Sequence, residues 1–334
     1  MKQNKSIRIG RDFTNLLNTH FLTEQERQHL KEGKLLVSDM DAKVQLKTKT
    51  DIVNQIRVAK ETGISHVELD GGVPNPFLDI TPEYCEEVRG FAGKNDVTLS
   101  FHIPYTFVAT ATAAFQDADR EIAVGLIKRY VDVAEMLNCN NVVMHPGAVP
   151  FYQTTGEYGR MIIRSVIKSF SELAVYAREK KLVLHLENNT AFDCVAFEIQ
   201  ECLEIIEEVN KKGNDLKFCF DIGHWFTRAD AGKKIPEPPE SIMDSIPAGV
   251  LGQVHLNDYI PVVKKFHPPL HFESGLLKRG NLVNLMKKFK DKGVSLVIVE
   301  TAVRDVNDLL NSIKIIEDEQ KYLKGIIDEV EKDG

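Results

Sequence analysis

The chain has 334 residues, 43% of them hydrophobic and 27% charged, with a formal net charge of −7. This length and apolar content allow one large barrel or two medium domains in a soluble protein. The negative charge disfavours a partner that is bound mainly by bulk electrostatics, such as nucleic acid.

Strands and helices are predicted to alternate from the beginning of the chain. The first predicted strand is SIRIG at 6–10, and the polar stretch 15–50 that follows is too long for an ordinary strand–helix loop, which indicates an insertion. The next predicted helix has Thr50 as its N-cap and Gly63 as its end. A second strand, HVELD, follows at 66–70.

The same alternation continues through the rest of the chain. Short β-branched runs, typical of buried strands, occur in VTLSFHIP, NVVMHPG, KLVLHLEN, LKFCFDIGH, GQVHLND and VSLVIVET. The segment 226–247 is predicted to be a lid or rim segment, and the charged terminal helix at 314–334 is expected to fray. Helices are predicted between the strands at 81–93, 118–138, 157–180, 195–211 and 281–292.

Eight predicted strands that alternate with about eight helices favour an α/β protein. We find no low-complexity segment and no Pro/Gly/Ser-rich linker that would separate two domains. The simplest interpretation is a single (β/α)8 TIM barrel domain over residues 1–334, with an insertion near the first strand and a C-terminal helix.

Six of the predicted strands end in side chains that are common metal ligands. Carboxylates and imidazoles at such buried positions are costly unless something compensates them. Because the carboxyl ends of barrel strands face one cavity, we expect these side chains to converge there. They are His102, His145, Glu187, Asp221 with His224 three residues later, His255 and Glu300.

The donor types divide these side chains into two sets. Glu187, Asp221, His255 and Glu300 come from four consecutive strands, and three carboxylates with one imidazole suit Mn²⁺, Mg²⁺, Co²⁺ or Zn²⁺. His102 and His145 could hold a second ion if Glu187 bridged the two sites. By contrast, His185 lies two residues before Glu187 and faces the same side lower in the barrel, which is more typical of a core histidine.

The segments FHIPY, HPG, LENNT, FDIGH, VHLND, HFESG and VIVET occur in the order found in one known superfamily. Over residues from about 100 to 301, the chain resembles the xylose isomerase-like TIM barrels, which include sugar isomerases and epimerases and the endonuclease IV-like proteins of AP endonuclease family 2. The resemblance implies a divalent metal ion, with zinc or manganese favoured and magnesium or cobalt as alternatives.

The epimerase-like members imply the function that we favour, an isomerase or epimerase of a small sugar, sugar phosphate or cyclitol. By this resemblance one ion is held by Glu187, Asp221, His255 and Glu300. Glu187 removes a proton from one face of the substrate carbon and Glu300 returns one to the other, with a metal-stabilised enediolate between the two steps. His224 is expected to contact substrate oxygens. Pro261 stands where the tagatose/psicose type carries an arginine, which disfavours a simple ketose C3-epimerase.

The alternative is an endonuclease IV-like zinc phosphodiesterase that acts on abasic DNA. By that resemblance His102, His145 and Glu187 hold a first zinc, and Glu187, Asp221, His255 and Glu300 hold a second. A third would use His224 and His271, but Pro269 replaces the aspartate that the family places two residues before His271, and His267 is an alternative ligand. Tyr105 matches an aromatic residue near DNA in endonuclease IV, although sugar-acting relatives share it.

Basic residues on the predicted loops are few. Lys264 and Lys265 are candidates for binding a substrate phosphate, because barrels often place such a site after the seventh and eighth strands. DNA would need more basic and aromatic residues than these loops offer. A metal-binding barrel without catalysis is disfavoured because both acid–base glutamates are present. The sequence leaves open whether the protein is a homo-oligomer.

Features of the whole chain predict its location. The five cysteines include no CxxC pair, which indicates reduced thiols in a cytoplasmic protein. The N-terminal MKQNKSIRIG lacks the apolar segment of a signal peptide, and no apolar run approaches the roughly 20 residues of a membrane span. We therefore expect neither export nor a membrane partner.

Overall fold

Residues 6–332 are described by the structure, a computed structural model. Their strands are β1 Arg8–Asp12, β2 His66–Asp70, β3 Thr98–His102, β4 Asn141–Met144, β5 Val183–Glu187, β6 Lys217–Asp221, β7 Leu251–Leu256, β8 Tyr259–Ile260, β9 Lys265–Phe266 and β10 Leu296–Glu300. Eight of them close a barrel in the order β1-β10-β7-β6-β5-β4-β3-β2, with parallel pairing throughout, and β8 and β9 form a separate antiparallel hairpin. The predicted (β/α)8 barrel is confirmed.

Helices surround this barrel on its outer side. They are α1 Glu24–Lys31, α2 Val37–Thr50, α3 Ile52–Glu61, α4 Pro82–Asn95, α5 Asp117–Met136, α6 Gly156–Glu179, α7 Ile199–Asn210, α8 Ile222–Phe226, α9 Arg279–Lys292, α10 Val306–Leu310 and α11 Ser312–Lys332. Their inward faces are apolar and buried, as α6 shows with Val166, Phe170 and Leu173. None of the helices in residues 6–332 is long and apolar enough to cross a membrane.

The helix that precedes β2 begins one residue later than the sequence predicts. Asp51, not Thr50, is the N-cap of α3, and its side chain accepts a hydrogen bond from Asn54 N at 3.0 Å. Thr50 belongs to the end of α2, where its hydroxyl donates to Leu46 O. The prediction was wrong because both residues are good caps and the preceding helix runs up to the cap residue itself.

The insertion after β1 folds into two helices. Thr23 and Glu26 form a capping box at the start of α1, in which Thr23 N donates to Glu26 Oε2 at 2.8 Å. The second helix, α2, carries Lys49 to the end of β2, where its ammonium is buried against Asp70 at 2.9 Å. The insertion therefore reaches the carboxyl end of the barrel.

The C-terminal helix α11 is packed along its length, so the expectation that it frays is wrong for the residues described. Its apolar face buries Ile316, Leu323 and Ile326. Glu319 on the same helix pairs with Arg11 of β1 at 2.8 Å, and both side chains are fully buried. Residues 333–334, which the predicted helix included, lie outside the described part.

Of the two interpretations predicted for the segment 226–247, a lid or a rim segment, the lid is wrong. Its Glu240 is buried and accepts hydrogen bonds from Asn281 and Asn284 of α9 at 2.9 and 2.7 Å. These contacts fasten the segment to the outer helix layer, and no residue from 227 to 247 is among those that line the cavity described below. All five cysteines are free, and Cys219 is buried in β6.

Candidate functional site

A cavity of about 400 Å³ opens at the carboxyl ends of the barrel strands. Its volume lies in the range of small-molecule sites. The wall is built from strand ends and from the loops that follow them, and it includes His102, His145, His224, His267 and Glu300. The chemistry-bearing residues of the sequence therefore gather where the barrel topology predicts a site.

Four predicted metal ligands converge just below this cavity. Nδ1 of His255 lies 3.1 Å from Glu187 Oε1, 3.2 Å from Glu300 Oε1 and 3.8 Å from Asp221 Oδ2. All four side chains are buried. Three buried carboxylates this close together need positive charge between them, and the mixed oxygen and nitrogen donors fit a divalent cation.

Asn257 joins two of these carboxylates. Its Nδ2 donates to Asp221 Oδ2 at 2.7 Å and to Glu300 Oε2 at 2.9 Å. Sequence reasoning missed it, although its position two residues after His255 on the same strand face would have suggested a role. The amide fixes the spacing of the two carboxylates.

Three further histidines surround Glu187. His102 Nε2 lies 2.8 Å and His145 Nε2 lies 3.4 Å from Glu187 Oε2, whereas His224 Nδ1 lies 3.3 Å from Glu187 Oε1. The two carboxylate oxygens therefore face different imidazoles. Among the described residues, His102, Glu187 and His255 form one group able to hold an ion, and His145, Glu187 and His224 form another.

The structure brings His267, not His271, to the site. Nδ1 of His267 lies 3.6 Å from Glu300 Oε2, and His267 forms a possible metal-binding group with Asp221 and His224. The backbone of His267 is left-handed, with φ of 52°, and it is held by hydrogen bonds to Asp258 O and from Ala302 N. Such strain persists only where the surroundings fix it.

His271 lies away from the cavity. Its ring packs on Phe272 at a centroid distance of 4.5 Å, and it is not among the residues that line the cavity. Burial and the nearby Glu319 act in opposite directions on the pKa of His271, and burial prevails to lower it. The sequence HPPLHFESG contains two histidines that could have been ligands, His267 and His271. The β8–β9 hairpin ends just before His267 and places that histidine at the cavity.

A buried polar layer beneath the quartet orients His255. Its Nε2 lies 2.7 Å from Glu68 Oε1, and Glu68 Oε2 accepts hydrogen bonds from Ser100 and Gln253 at 2.6 and 2.8 Å. Burial would raise the pKa of Glu68, but the charges of His255 and His102 and the hydrogen bonds from His255 and Ser100 together lower it to about 2. A carboxylate on the far nitrogen of a ligating histidine is a common device in metal sites.

Glu187 and Glu300 have opposite electrostatic environments. Burial would raise the pKa of Glu187, but the charges of His145, His255 and His102 hold it well below the usual range. The pKa of Glu300 is raised well above its usual range by burial, despite His255 and with help from Asp221. Glu187 is fully buried beneath the imidazoles, whereas Glu300 lines the cavity.

Of the predicted substrate-binding residues Tyr105, Lys264 and Lys265, some lie at the cavity and others do not. The ring of Tyr105 lines the cavity, 5.6 Å from that of His102 and 5.1 Å from that of His145. Lys264 and Lys265 are exposed and do not line it; Lys264 Nζ instead lies 5.1 Å from the centre of the Phe192 ring. Of these three residues, the structure therefore brings only the tyrosine to the cavity, where His224 also lies.

Sequence reasoning also missed the carboxylates at the ends of the first two strands. Asp12 and Asp70 both line the cavity, and burial together with Asp70 raises the pKa of Asp12 to about 7. The strand-end argument that found the other ligands would have found HVELD, which ends in Asp70.

Comparisons with known proteins agree with this architecture. The family model described as xylose isomerase-like TIM barrel matches residues 56–326. An uncharacterized protein of Methanocaldococcus jannaschii, MJ1311, is 23% identical over 257 residues, which cover 76% of this chain and 80% of that protein.

Two solved structures are similar in fold. A D-tagatose 3-epimerase-like protein has a TM-score of 0.63 at 19% identity, covering 97% of this chain and all of that one. A D-psicose 3-epimerase studied in the presence of D-fructose has a TM-score of 0.62 at 13% identity, covering 82% of this chain and 92% of that one. At these identities the likeness shows the fold alone.

Proposed function

Because the chain belongs to the xylose isomerase-like TIM barrel family, we propose that it is a divalent-metal-dependent isomerase or epimerase of a small polyhydroxylated substrate. The substrate classes are a sugar, a sugar phosphate or a cyclitol. The sugar epimerases among the structural neighbours support this class of enzyme.

One observation carries the proposal. His255 Nδ1 lies 3.1 and 3.2 Å from the carboxylates of Glu187 and Glu300, with Asp221 at 3.8 Å, directly below a cavity of about 400 Å³. These four residues would hold the ion. When bound, a divalent ion supplies Lewis-acid polarisation of the carbonyl and hydroxyl oxygens of a substrate.

The side chains on the cavity wall have separate roles in this proposal. Glu300 exchanges a proton with the substrate carbon, because it is the glutamate that lines the cavity. His224 donates to or accepts from substrate oxygens, and Tyr105 packs over His102 and His145 and limits access of water. Glu187 is the proposed second proton-transfer group, and because it is fully buried beneath the imidazoles, its exchange with the substrate requires those side chains to move aside.

The test is a metal-dependent conversion of sugars. Protein purified without chelator is assayed for metal content and for conversion of a panel of ketoses, aldoses, their phosphate esters and inositols, followed by chromatography of the products. We expect about one ion per chain at the quartet and conversion of at least one panel member, lost on chelation and restored by Mn²⁺ or Zn²⁺. Metal-free protein that retains activity would contradict the proposal.

A specific observation supports a second candidate, a zinc phosphodiesterase that acts on abasic DNA. The two oxygens of Glu187 face different imidazoles, as a carboxylate does when it bridges two ions, and Glu187 does not line the cavity. Two or three zinc ions per chain, with cleavage of an abasic-site duplex that Glu187→Gln abolishes, would favour this candidate over the isomerase.

A further inference from the structure

We infer that the insertion after β1 builds a subsite at one end of the cavity that binds the hydroxyl groups of an uncharged sugar and disfavours a phosphate. We call it the acidic subsite, and it consists of Asp12, Thr14 and Asp70 with Lys49 behind them. The inference rests on the proposed function and narrows its substrate class to non-phosphorylated sugars.

Asp12 supplies an acceptor without a partner. It is 4% exposed and lines the cavity. Its Oδ1 accepts hydrogen bonds from Thr14 N at 2.6 Å and Thr14 Oγ1 at 3.2 Å, whereas Oδ2 accepts none from residues 6–332. Because Asp12 lines the cavity, this oxygen is free to accept a hydrogen bond from a hydroxyl group of a bound ligand.

Asp70 is held rigidly beside it by the insertion. Lys49 of α2 is 3% exposed, and its Nζ lies 2.9 Å from Asp70 Oδ2. Asp70 Oδ1 accepts a hydrogen bond from Gly72 N at 2.6 Å. A Cβ atom on Gly72 would lie 2.8 Å from the same oxygen, so any side chain at this position would displace the carboxylate. Lys49 does not line the cavity, and its charge balances Asp70 from behind.

Apart from the proposed metal ion, the lining residues in the described chain offer no unpaired lysine or arginine to a phosphate. Arg304 is the one lysine or arginine among the lining residues in the described chain, and its Nη1 lies 3.0 Å from Asp41 Oδ2. Asp41 belongs to α2 and is itself held by Asn18 Nδ2 at 2.8 Å. The insertion thus engages the arginine that a phosphate would need.

A sugar hydroxyl group and a sugar phosphate group would interact with this subsite in opposite ways. Hydroxyl groups donate hydrogen bonds, which carboxylates accept, whereas a phosphate monoester near neutral pH carries about −1.5 to −2 charges and mainly accepts. Asp70, together with Asp12 at a pH above its pKa of about 7, would therefore repel it. The match to the family model begins at residue 56, after Asp41 and Lys49.

The experiment measures dissociation constants of free sugars and their phosphate esters. Mn²⁺-loaded protein is titrated calorimetrically with D-fructose, D-tagatose and the 6-phosphate of each at low ionic strength and at pH 8, where both Asp12 and Asp70 carry a negative charge. We expect the free sugars to bind about tenfold or more tightly than the esters. Asp12→Asn and Asp70→Asn should each reduce that ratio about threefold or more, because each removes one negative charge.

The matched control is Asp193→Asn, which neutralises a cavity-lining carboxylate outside the acidic subsite and should leave the ratio closer to wild type. Esters that bind as tightly as the free sugars would overturn the inference and leave the proposed function standing. If neither class binds, the acidic subsite falls, whereas the proposed function is tested separately by metal-dependent conversion of the wider panel of sugars and inositols.

A second variant covers the case in which Asp12→Asn does not fold. Thr14→Ala removes one of the hydrogen bonds that orient Asp12 but keeps the carboxylate. We expect it to weaken the binding of the free sugars about threefold or more. Unchanged affinity in a folded Thr14→Ala protein would count against the acidic subsite.

Discussion

His255 and Glu68 lie 2.7 Å apart, Nε2 to Oε1, in the interior of the barrel. The other nitrogen of the same ring faces the carboxylates of Glu187 and Glu300. Glu68 therefore fixes the ring orientation and the tautomer that presents Nδ1 to a metal ion.

The first prediction follows from that contact. Glu68→Gln removes the carboxylate while keeping its shape, so we expect divalent-metal affinity to fall about 10- to 100-fold although every proposed ligand is retained. Competition with a chromophoric chelator measures this. Glu83→Gln, an exposed change of the same kind on α4, serves as the control. Equal affinities in the two variants would show that Glu68 does not support His255.

The second prediction separates two histidines that are close in sequence. His267→Ala should weaken divalent-ion binding about tenfold or more, because Nδ1 of His267 lies 3.6 Å from Glu300 Oε2 and so supports a proposed ligand of the ion. His271→Ala should not change it, because His271 packs against Phe272 outside the cavity. Equilibrium dialysis with Zn²⁺ gives both values. The opposite order would restore His271 as the ligand.

The third prediction concerns Asp12 and pH in the metal-free protein. The pKa of Asp12 is raised from 3.8 to about 7 by burial and Asp70. As pH rises between about 4 and 7, the unfolded state loses this proton before the folded state does, so the free energy of unfolding falls. The Asp12→Asn variant has no carboxyl group to titrate here. Its free energy of unfolding should therefore rise relative to that of wild type by about 2 kcal/mol between about pH 5 and pH 8.

Urea denaturation in the presence of a chelator measures that difference. Asp39→Asn, which changes an exposed carboxylate on α2, is the control and should show no comparable change with pH. A stability difference between Asp12→Asn and wild type that is constant with pH would show that Asp12 titrates normally.

The fourth prediction concerns the buried ion pair that attaches α11 to the barrel. Glu319 also accepts hydrogen bonds from Thr301 Oγ1 at 2.7 Å and Leu270 N at 2.6 Å. Glu319→Ala leaves Arg11 buried without its partner and should cost about 3–5 kcal/mol. The double change Arg11→Met with Glu319→Leu should recover most of that loss in urea denaturation. No recovery would show that packing, and not the unpaired charge, dominates.

The strand-end pattern predicted the core of the site because barrel topology leaves little freedom there. Glu187, Asp221, His255 and Glu300 each end a short apolar run, and parallel pairing brings such ends together. His267 was harder to place because a two-stranded hairpin and a left-handed backbone set its position.

The contribution of the insertion left no local signal in the sequence. Lys49 pairs with Asp70, and Asp41 pairs with Arg304. Both pairs join residues that are far apart in the chain, so a local hydrophobic pattern cannot predict them. Asp12 was missed because the first strand was predicted at 6–10, two residues before its observed position at 8–12, which left Asp12 in the loop. The sequence also did not reveal that Glu187 is buried beneath the imidazoles, because that depends on how the side chains pack.

The most direct test of the central claim is proton exchange at the substrate carbon. The metal-loaded protein is incubated with the panel of free sugars in D₂O, and deuterium incorporation next to the carbonyl is followed by NMR. We predict incorporation by wild type that Glu300→Gln reduces at least 100-fold while the protein stays folded. No incorporation into any sugar, together with cleavage of abasic DNA, would contradict the account.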